Sequence, residues 1–165
     1  MNHSEHEYLT FFLENEEYGI DILCVQEIRV LQQLTELPKK PDYIRGVINL
    51  RGTIIPIVDL RMRFGKQAIT DNDKTVVIIL KSKTPSAEGS LGIIVDAVSE
   101  VYNFEPESIN VAPKFGKQID HCFIHGLANS NEKLIVLLDS KQLLDVDSLY
   151  QQDSHHHHDM EREMV

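Results

Sequence analysis

The stretch that decides the fold reads Tyr43-Ile-Arg-Gly-Val-Ile-Asn-Leu-Arg-Gly-Thr-Ile-Ile-Pro-Ile-Val-Asp-Leu-Arg-Met-Arg-Phe-Gly65. It contains two runs rich in Ile and Val, Gly46–Leu50 and Ile54–Leu60, on either side of Arg51 and Gly52. Such runs are typical of β-strands, and the short polar interruption predicts a tight turn between them. Gly52 supplies the backbone freedom of the turn, and Arg51 is expected to project outward.

Short strands are also predicted along the rest of the chain. The further runs are Tyr8–Leu13, Tyr18–Ile22, Thr75–Leu80, Leu91–Val95, Val98–Phe104, Ile124–Leu127 and Leu134–Asp139. Helical patterns are scarce: Leu23–Val30 has Val25 and Ile28 three apart, enough for two turns, and Asp139 or Ser140 caps a short helix that ends at Leu144. The absence of crossover helices disfavours a parallel α/β sheet, so we expect an all-β fold with short helices.

Self-comparison indicates an internal duplication. Gly46–Asp59 aligns with Gly126–Asp139 at an offset of 80 residues and keeps Gly, Asn and Asp at matching places. Gly19–Ile28 aligns with Gly92–Val101, and Leu9–Leu13 resembles Val76–Leu80. The three blocks occur in the same order in both halves. They predict two five-stranded barrels related by a pseudo-two-fold axis, one formed by residues 7–66 and the other by residues 74–144.

Charge and composition exclude several classes of protein. The 165 residues carry a formal net charge of −10, which disfavours nucleic acid and anionic lipid. A basic segment, Arg29–Lys66, leaves a small-barrel nucleic-acid-binding protein as the alternative function. The chain lacks both a 20-residue apolar run and a signal peptide, so we expect no membrane insertion and a cytoplasmic location. The acidic, histidine-containing tail, residues 151–165, is expected to be disordered.

Motifs for catalysis are absent from the sequence. There is no Gly-rich phosphate loop, no Gly-x-Ser-x-Gly elbow and no complete zinc-protease motif. Cys24 and Cys122 are too few for a disulfide framework, and His121, Cys122 and His125 are more simply structural than metal ligands. We therefore predict no catalytic residues, no metal and no cofactor. A small metal-dependent enzyme that uses the histidines is the third hypothesis.

The quoted stretch closely resembles the signature block of the CheW family of bacterial chemotaxis adaptors. Glu17–Arg29 and Gly92–Val101 are similar to the family's early and later blocks, and the resemblance spans residues 7–144 as a single CheW-like domain. It implies two five-stranded SH3-like barrels and a protein that is not an enzyme. It also implies two partners, the regulatory domain of the histidine kinase CheA and the cytoplasmic tips of methyl-accepting chemoreceptors. The chain would reach membrane receptor arrays through these partners.

The resemblance also implies two binding surfaces that can be damaged separately. Its kinase-binding positions are Gly46, Asn49, Arg51 and Gly52, where the planar fork of an arginine suits a partner carboxylate. Its receptor-binding positions are Val25, Glu27, Ile28, Val76, Gly92, Val98 and Val101. With the barrels face to face, Val25 and Ile28 would meet Val98 and Val101 in an apolar trough for a receptor helix.

Overall fold

The computed structural model describes residues 6–66, 71–83, 89–111 and 121–145. The first-half strands are β1 (Glu7–Leu13), β2 (Glu16–Asp21), β3 (Val25–Val30), β4 (Ile44–Leu50) and β5 (Thr53–Asp59). The second-half strands are β6 (Val76–Lys81), β7 (Ser90–Val95), β8 (Ala97–Asn103), β9 (Ile124–Ser130) and β10 (Lys133–Leu138). Two short helices, α1 (Leu60–Arg63) and α2 (Ser140–Leu143), each follow the last strand of a half.

The strands form two five-stranded sheets, which confirms the prediction of an all-β fold with short helices. Sheet 1 has the order β8-β1-β2-β10-β9, and sheet 2 has the order β3-β6-β7-β5-β4. Neighbouring strands are antiparallel except for β2 with β10 and β5 with β7, which are parallel. Each sheet thus contains one such parallel pair.

The two halves of the sequence are interleaved between the sheets. Sheet 1 takes β1 and β2 from the first half and β8 to β10 from the second, and sheet 2 takes β3 to β5 and then β6 and β7. The expectation that residues 7–66 form one barrel and residues 74–144 the other is therefore wrong. The alignment of the halves nevertheless holds, because replacing every strand by its counterpart five positions away converts one sheet order into the other.

The main core lies between the sheets. Sheet 1 contributes Leu9, Phe11 and Tyr18, and sheet 2 contributes Ile78, Leu80 and Ile93, all of them buried in one cluster. The opposite faces of the strands form a smaller cluster in each sheet, around Ile57 and Ile79 in sheet 2 and around Ile135 and Leu137 in sheet 1. Most strands are apolar on both faces for this reason, whereas β3 and β8, at the sheet edges, are only partly buried.

The helix predicted over Leu23–Val30 is wrong. A single 3₁₀ turn, Ile22–Cys24, is followed at once by β3. The pairing of β3 with β6 slips by one residue between Val25 and Glu27, which is a β-bulge. Because the bulge adds a residue, Val25 and Ile28 lie opposite Leu80 and Ile78 on the face toward the main core. The three-residue spacing of Val25 and Ile28 therefore results from a bulge in a strand and not from a helical turn.

Both short helices begin at an aspartate that caps them. Asp59 accepts a hydrogen bond from the backbone N–H of Arg61, and Asp139 accepts from those of Lys141 and Gln142. The prediction of a short helix capped at Asp139 is therefore confirmed. The tail, residues 151–165, lies outside the described residues.

Candidate partner-binding surfaces

Two edge strands carry apolar side chains at the margin of the main core. Ile28 on β3 is 44% exposed and Val101 on β8 is 48% exposed. The two residues occupy matching places in the internal repeat, and Val101 lies opposite Leu9 as Ile28 lies opposite Ile78. Val25 and Val98 also pack partly against the main core. The four residues therefore lie on faces that border the same core, as the trough prediction requires.

A second bulge shapes β8 at the place that matches the bulge in β3. The register of β1 with β8 shifts between Leu9 and Phe11, and the hydroxyl of the buried Thr10 fills the irregularity. It donates to the carbonyl of Glu100 at 3.0 Å and accepts from the N–H of Glu100 at 3.2 Å. These bonds satisfy backbone groups that the bulge removes from the ladder. They hold Val98 and Val101 on one face.

Val76 and Gly92 lie deeper than the other expected receptor contacts. Val76 on β6 is half-buried against the main core, and Gly92 on β7 is fully enclosed. A Cβ atom on Gly92 would overlap Ile57 Cδ1 and lie 3.0 Å from Val77 Cγ1. Gly92 therefore permits close packing inside sheet 2 and does not itself reach the surface.

The β4–β5 hairpin presents the expected kinase contacts. Asn49 accepts a hydrogen bond from the N–H of Gly52 at 2.9 Å, and Arg51 and Gly52 both have positive φ, 51° and 88°. The Arg51 side chain is exposed at this turn. Gly46 is buried further back on β4, where a Cβ would lie 2.6 Å from the carbonyl oxygen of Thr35. Three of the four positions are accessible, and Gly46 supports the strand.

Glu27 and Arg51 contact each other, although the sequence assigned them to different surfaces. Arg51 Nη1 donates to Glu27 Oε1 at 2.9 Å, and Arg29 Nη1 donates to Glu27 Oε2 at 3.4 Å. Strands β3 and β4 are the two edges of sheet 2, so this ion pair joins the edges. The two expected surfaces therefore share a contact at Glu27. Val101, on the other sheet, is a cleaner place to test whether they are separable.

Three strand residues with exposed apolar side chains were not among the sites expected from the sequence. Val30 ends β3 beyond Ile28 and is 72% exposed. Ile54 on β5 is 60% exposed and Leu134 on β10 is 56% exposed, and these two are separated by the repeat offset of 80 residues. The internal repeat would have identified Ile54 and Leu134 as equivalent positions of the two halves.

A buried arginine holds the end of sheet 2 against sheet 1. The guanidinium of Arg61 is fully enclosed and donates to Asp59 at 2.8 Å, to Asp96 at 2.9 Å and to Asp71 at 3.1 Å. These hydrogen bonds, Asp59 first, raise the pKa of Arg61 above its ordinary value. The other oxygen of Asp96 accepts from the N–H of Glu14 in the β1–β2 turn at 2.7 Å. The network links sheet 2 to the β1–β2 turn of sheet 1.

Several charges of the basic segment Arg29–Lys66 are engaged within the protein. Arg45 pairs with Asp59 and Asp71, Arg61 is buried as described, and Lys66 pairs with Glu16 at 3.1 Å. Phosphate binding requires Lys and Arg side chains that are available to the backbone of the nucleic acid. The alternative function therefore gains nothing from the structure.

The described residues provide little for catalysis. Among residues 6–66, 71–83, 89–111 and 121–145, no three His, Cys, Asp or Glu side chains come together as a metal site. Burial raises the pKa of the Cys24 thiol, which keeps it protonated and poorly nucleophilic. Within the same part of the chain, no helix is long and apolar enough to cross a membrane. Exposed apolar edges on a rigid two-sheet scaffold are typical of a protein-binding module.

Comparison with known proteins identifies the family. Residues 7–148 match the CheW-like domain family. The chain is 44% identical over 138 residues to the chemotaxis protein CheW of Klebsiella aerogenes, which covers 84% of this chain and 81% of that protein. It is 32% identical over 147 residues to CheW of Treponema pallidum, covering 87% and 84%. The chain belongs to the CheW-like family.

A solved structure agrees with this assignment. The crystal structure of the scaffolding protein TtCheW from Thermoanaerobacter tengcongensis superposes with a TM-score of 0.72 at 34% sequence identity. The match covers 82% of this chain and 84% of that one. The two proteins therefore share their overall fold over most of both chains.

Proposed function

We propose that this chain is a non-enzymatic chemotaxis adaptor that couples methyl-accepting chemoreceptors to the histidine kinase CheA in the cytoplasm. Family membership supports the role, since several relatives are chemotaxis proteins and one is a scaffolding protein. The observation that carries it is the pair of matching exposed residues, Ile28 and Val101, on two edge strands that border one core. They suit the apolar stripe of a receptor helix.

The kinase binds at the β4–β5 hairpin in this proposal. Arg51 projects from a tight turn, and its guanidinium has further donors for a partner carboxylate beside the one that Glu27 accepts. Receptor and kinase occupy different edges of the molecule at the same time. The adaptor then raises their effective concentration, and a change in receptor conformation biases kinase activity without chemistry in the adaptor.

Reconstitution tests this proposal. Purified CheA and chemoreceptor membranes are mixed with and without the chain, and ATP turnover is measured. We expect stimulation in the complete mixture and no turnover by the chain alone. A matched sample uses Val101→Arg, which should remove most of the stimulation while the variant stays folded. Turnover by the isolated chain, or equal activity with and without it, would contradict the adaptor function.

A further inference from the structure

A cleft on sheet 1 contains none of the residues assigned to the receptor or the kinase. It has a volume of about 330 Å³ and lies where β2 and β10 begin. It is lined by Phe12, Asn15, Glu16, Glu17, Lys133, Leu134 and Val136. Its polar groups are the amide of Asn15, the ammonium group of Lys133 and the carboxylates of Glu16 and Glu17, and Glu16 is already paired with Lys66 at 3.1 Å.

The Glu17 carboxylate in this cleft is buried and incompletely paired. The Glu17 side chain is only 3% exposed, and its Oε1 accepts from Lys133 Nζ at 3.4 Å. Its Oε2 has no hydrogen-bond partner among the residues that the structure describes. A buried carboxylate oxygen without a donor lowers the stability of a fold, and an additional donor would offset that cost. The Lys133 side chain is 60% exposed, so water competes for its ammonium group and its bond to Glu17 is weak.

The surroundings of Glu17 suit a planar cation. Lys133 Nζ lies 5.9 Å from the centre of the Phe12 ring, so the ring already faces a positive charge. A guanidinium donates to both oxygens of a carboxylate at once and stacks on an aromatic face, which an ammonium group does less well. The exposed Leu134 side chain at the rim provides an apolar contact for the residue next to such a cation.

The other half of the molecule lacks this chemistry. Ile54 occupies the place that matches Leu134, but Ser90 and Thr53 stand where Glu17 and Lys133 would be. The exposed apolar residue is therefore common to both halves, whereas the position of Glu17 holds a carboxylate in sheet 1 and a serine in sheet 2. The charge is not needed to build this kind of sheet, since its counterpart is built without it.

We propose that the cleft at Glu17 is a docking site for an arginine side chain of a partner protein, with a neighbouring apolar residue of that partner packed on Leu134. The arginine displaces Lys133 and donates to both Glu17 oxygens. Lys133 acts as a placeholder in the unbound protein. The site is independent of the proposed receptor and kinase surfaces.

The test uses a peptide probe and methyl NMR on the full chain. Acetyl-Arg-Leu-amide is titrated against the protein while the Leu134 methyl signals are followed. The matched control is acetyl-citrulline-Leu-amide, which replaces the guanidinium by a neutral urea of the same shape. We expect saturable shifts with an affinity on the order of millimolar for the arginine peptide, and binding at least about fivefold weaker for citrulline. Free arginine and acetyl-Lys-Leu-amide should also bind more weakly.

Two variants separate binding from a structural role. Glu17→Gln should weaken binding of the arginine peptide by about fivefold or more. The thermal stability of this variant should equal or exceed that of the wild type. Lys133→Ala should strengthen binding of the arginine peptide by about twofold because it removes the competing cation, and it should lower the thermal stability of the unbound protein because Glu17 loses the donor to its Oε1. No saturable shift, equal binding of citrulline, or weaker binding to Lys133→Ala would overturn the proposal.

Discussion

Arg51 Nη1 donates to Glu27 Oε1 at 2.9 Å, and this ion pair connects the two edge strands of sheet 2. Glu27 was expected to face a receptor and Arg51 a kinase. Their contact means that a change at either residue alters the position of the other. The two residues are therefore best tested together.

A charge exchange between these residues is the first prediction. Glu27→Arg places a third positive charge beside Arg29 and Arg51, so we expect about fivefold weaker binding of both receptor and kinase. Arg51→Glu should have a similar effect. The double variant, with the charges exchanged, should recover part of both affinities. Binding of each partner is measured by calorimetry on all four proteins, and strictly additive losses would show that the pair does not act as a unit.

Val101→Arg should separate the two surfaces. Val101 is half exposed on β8 in sheet 1, away from the ion pair on sheet 2, and an arginine there would place a charge in the proposed receptor trough. We expect a loss of about 2 kcal/mol in receptor binding and no change in kinase binding. Asn103→Arg is the matched control, since it adds the same charge to an exposed position of the same strand. Equal loss of both partners would refute this division of the surfaces.

Arg61→Met should destabilise the fold strongly. The change leaves the buried Asp59 and the largely buried Asp96 without their common donor, for which a cost of about 3–5 kcal/mol is expected. Arg45→Met is the control, because Arg45 is partly exposed and pairs with Asp59 from outside. Its cost should be clearly smaller. Urea unfolding measures both, and similar costs for the two variants would mean that burial of the Arg61 network contributes little.

The raised pKa of Tyr18 predicts that the folded protein loses stability in alkaline solution. Burial, assisted by the carboxylates of Glu16 and Glu14, raises the pKa of Tyr18 well above its ordinary value of 10.0. A raised pKa means that the folded state holds the proton when the unfolded state has lost it. The contribution of the Tyr18 proton to the free energy of unfolding is therefore complete below pH 10. It is lost as the pH rises further, by about 1.4 kcal/mol per pH unit.

Tyr18→Phe provides the comparison for this alkaline effect. It removes the hydroxyl that donates to Glu16 at 3.0 Å, so it should cost about 1 kcal/mol at pH 8. Above pH 10 its stability should fall less steeply than that of the wild type, by about one proton. Urea unfolding at pH 8, 10 and 11 measures the slopes. Parallel slopes would show that another group governs alkaline unfolding.

The sequence predicted those features that depend on local patterns. The hairpin at Arg51 and Gly52 and the helix capped at Asp139 lie at the positions that the local sequence predicts. Strand β3 was predicted as a helix because Val25 and Ile28 are three apart, and a bulge gives that spacing as readily as a helical turn does. Periodicity alone does not distinguish the two over six residues.

Features that depend on the exchange of strands between the two sheets could not be predicted from the sequence. Aligning Gly46–Asp59 with Gly126–Asp139 revealed the repeat but not which sheet each copy joins. Contact between Glu27 and Arg51 requires two edges of one sheet to approach, and the unpaired oxygen of Glu17 requires a cleft whose other wall is more than 110 residues away. Such relationships arise only from the tertiary fold.

The interleaved sheets also set an order for folding during synthesis. All of sheet 2 lies between Val25 and Val95, so it is complete while the rest of sheet 1 is still unmade. The β1–β2 hairpin emerges first but receives its parallel neighbour, β10, only when Leu138 has been added. Those roughly 40 residues take about 2–8 s on a ribosome. During that interval we expect the apolar face of the hairpin, with Leu9, Phe11 and Tyr18, to be covered by sheet 2, with which it shares the main core of the folded protein.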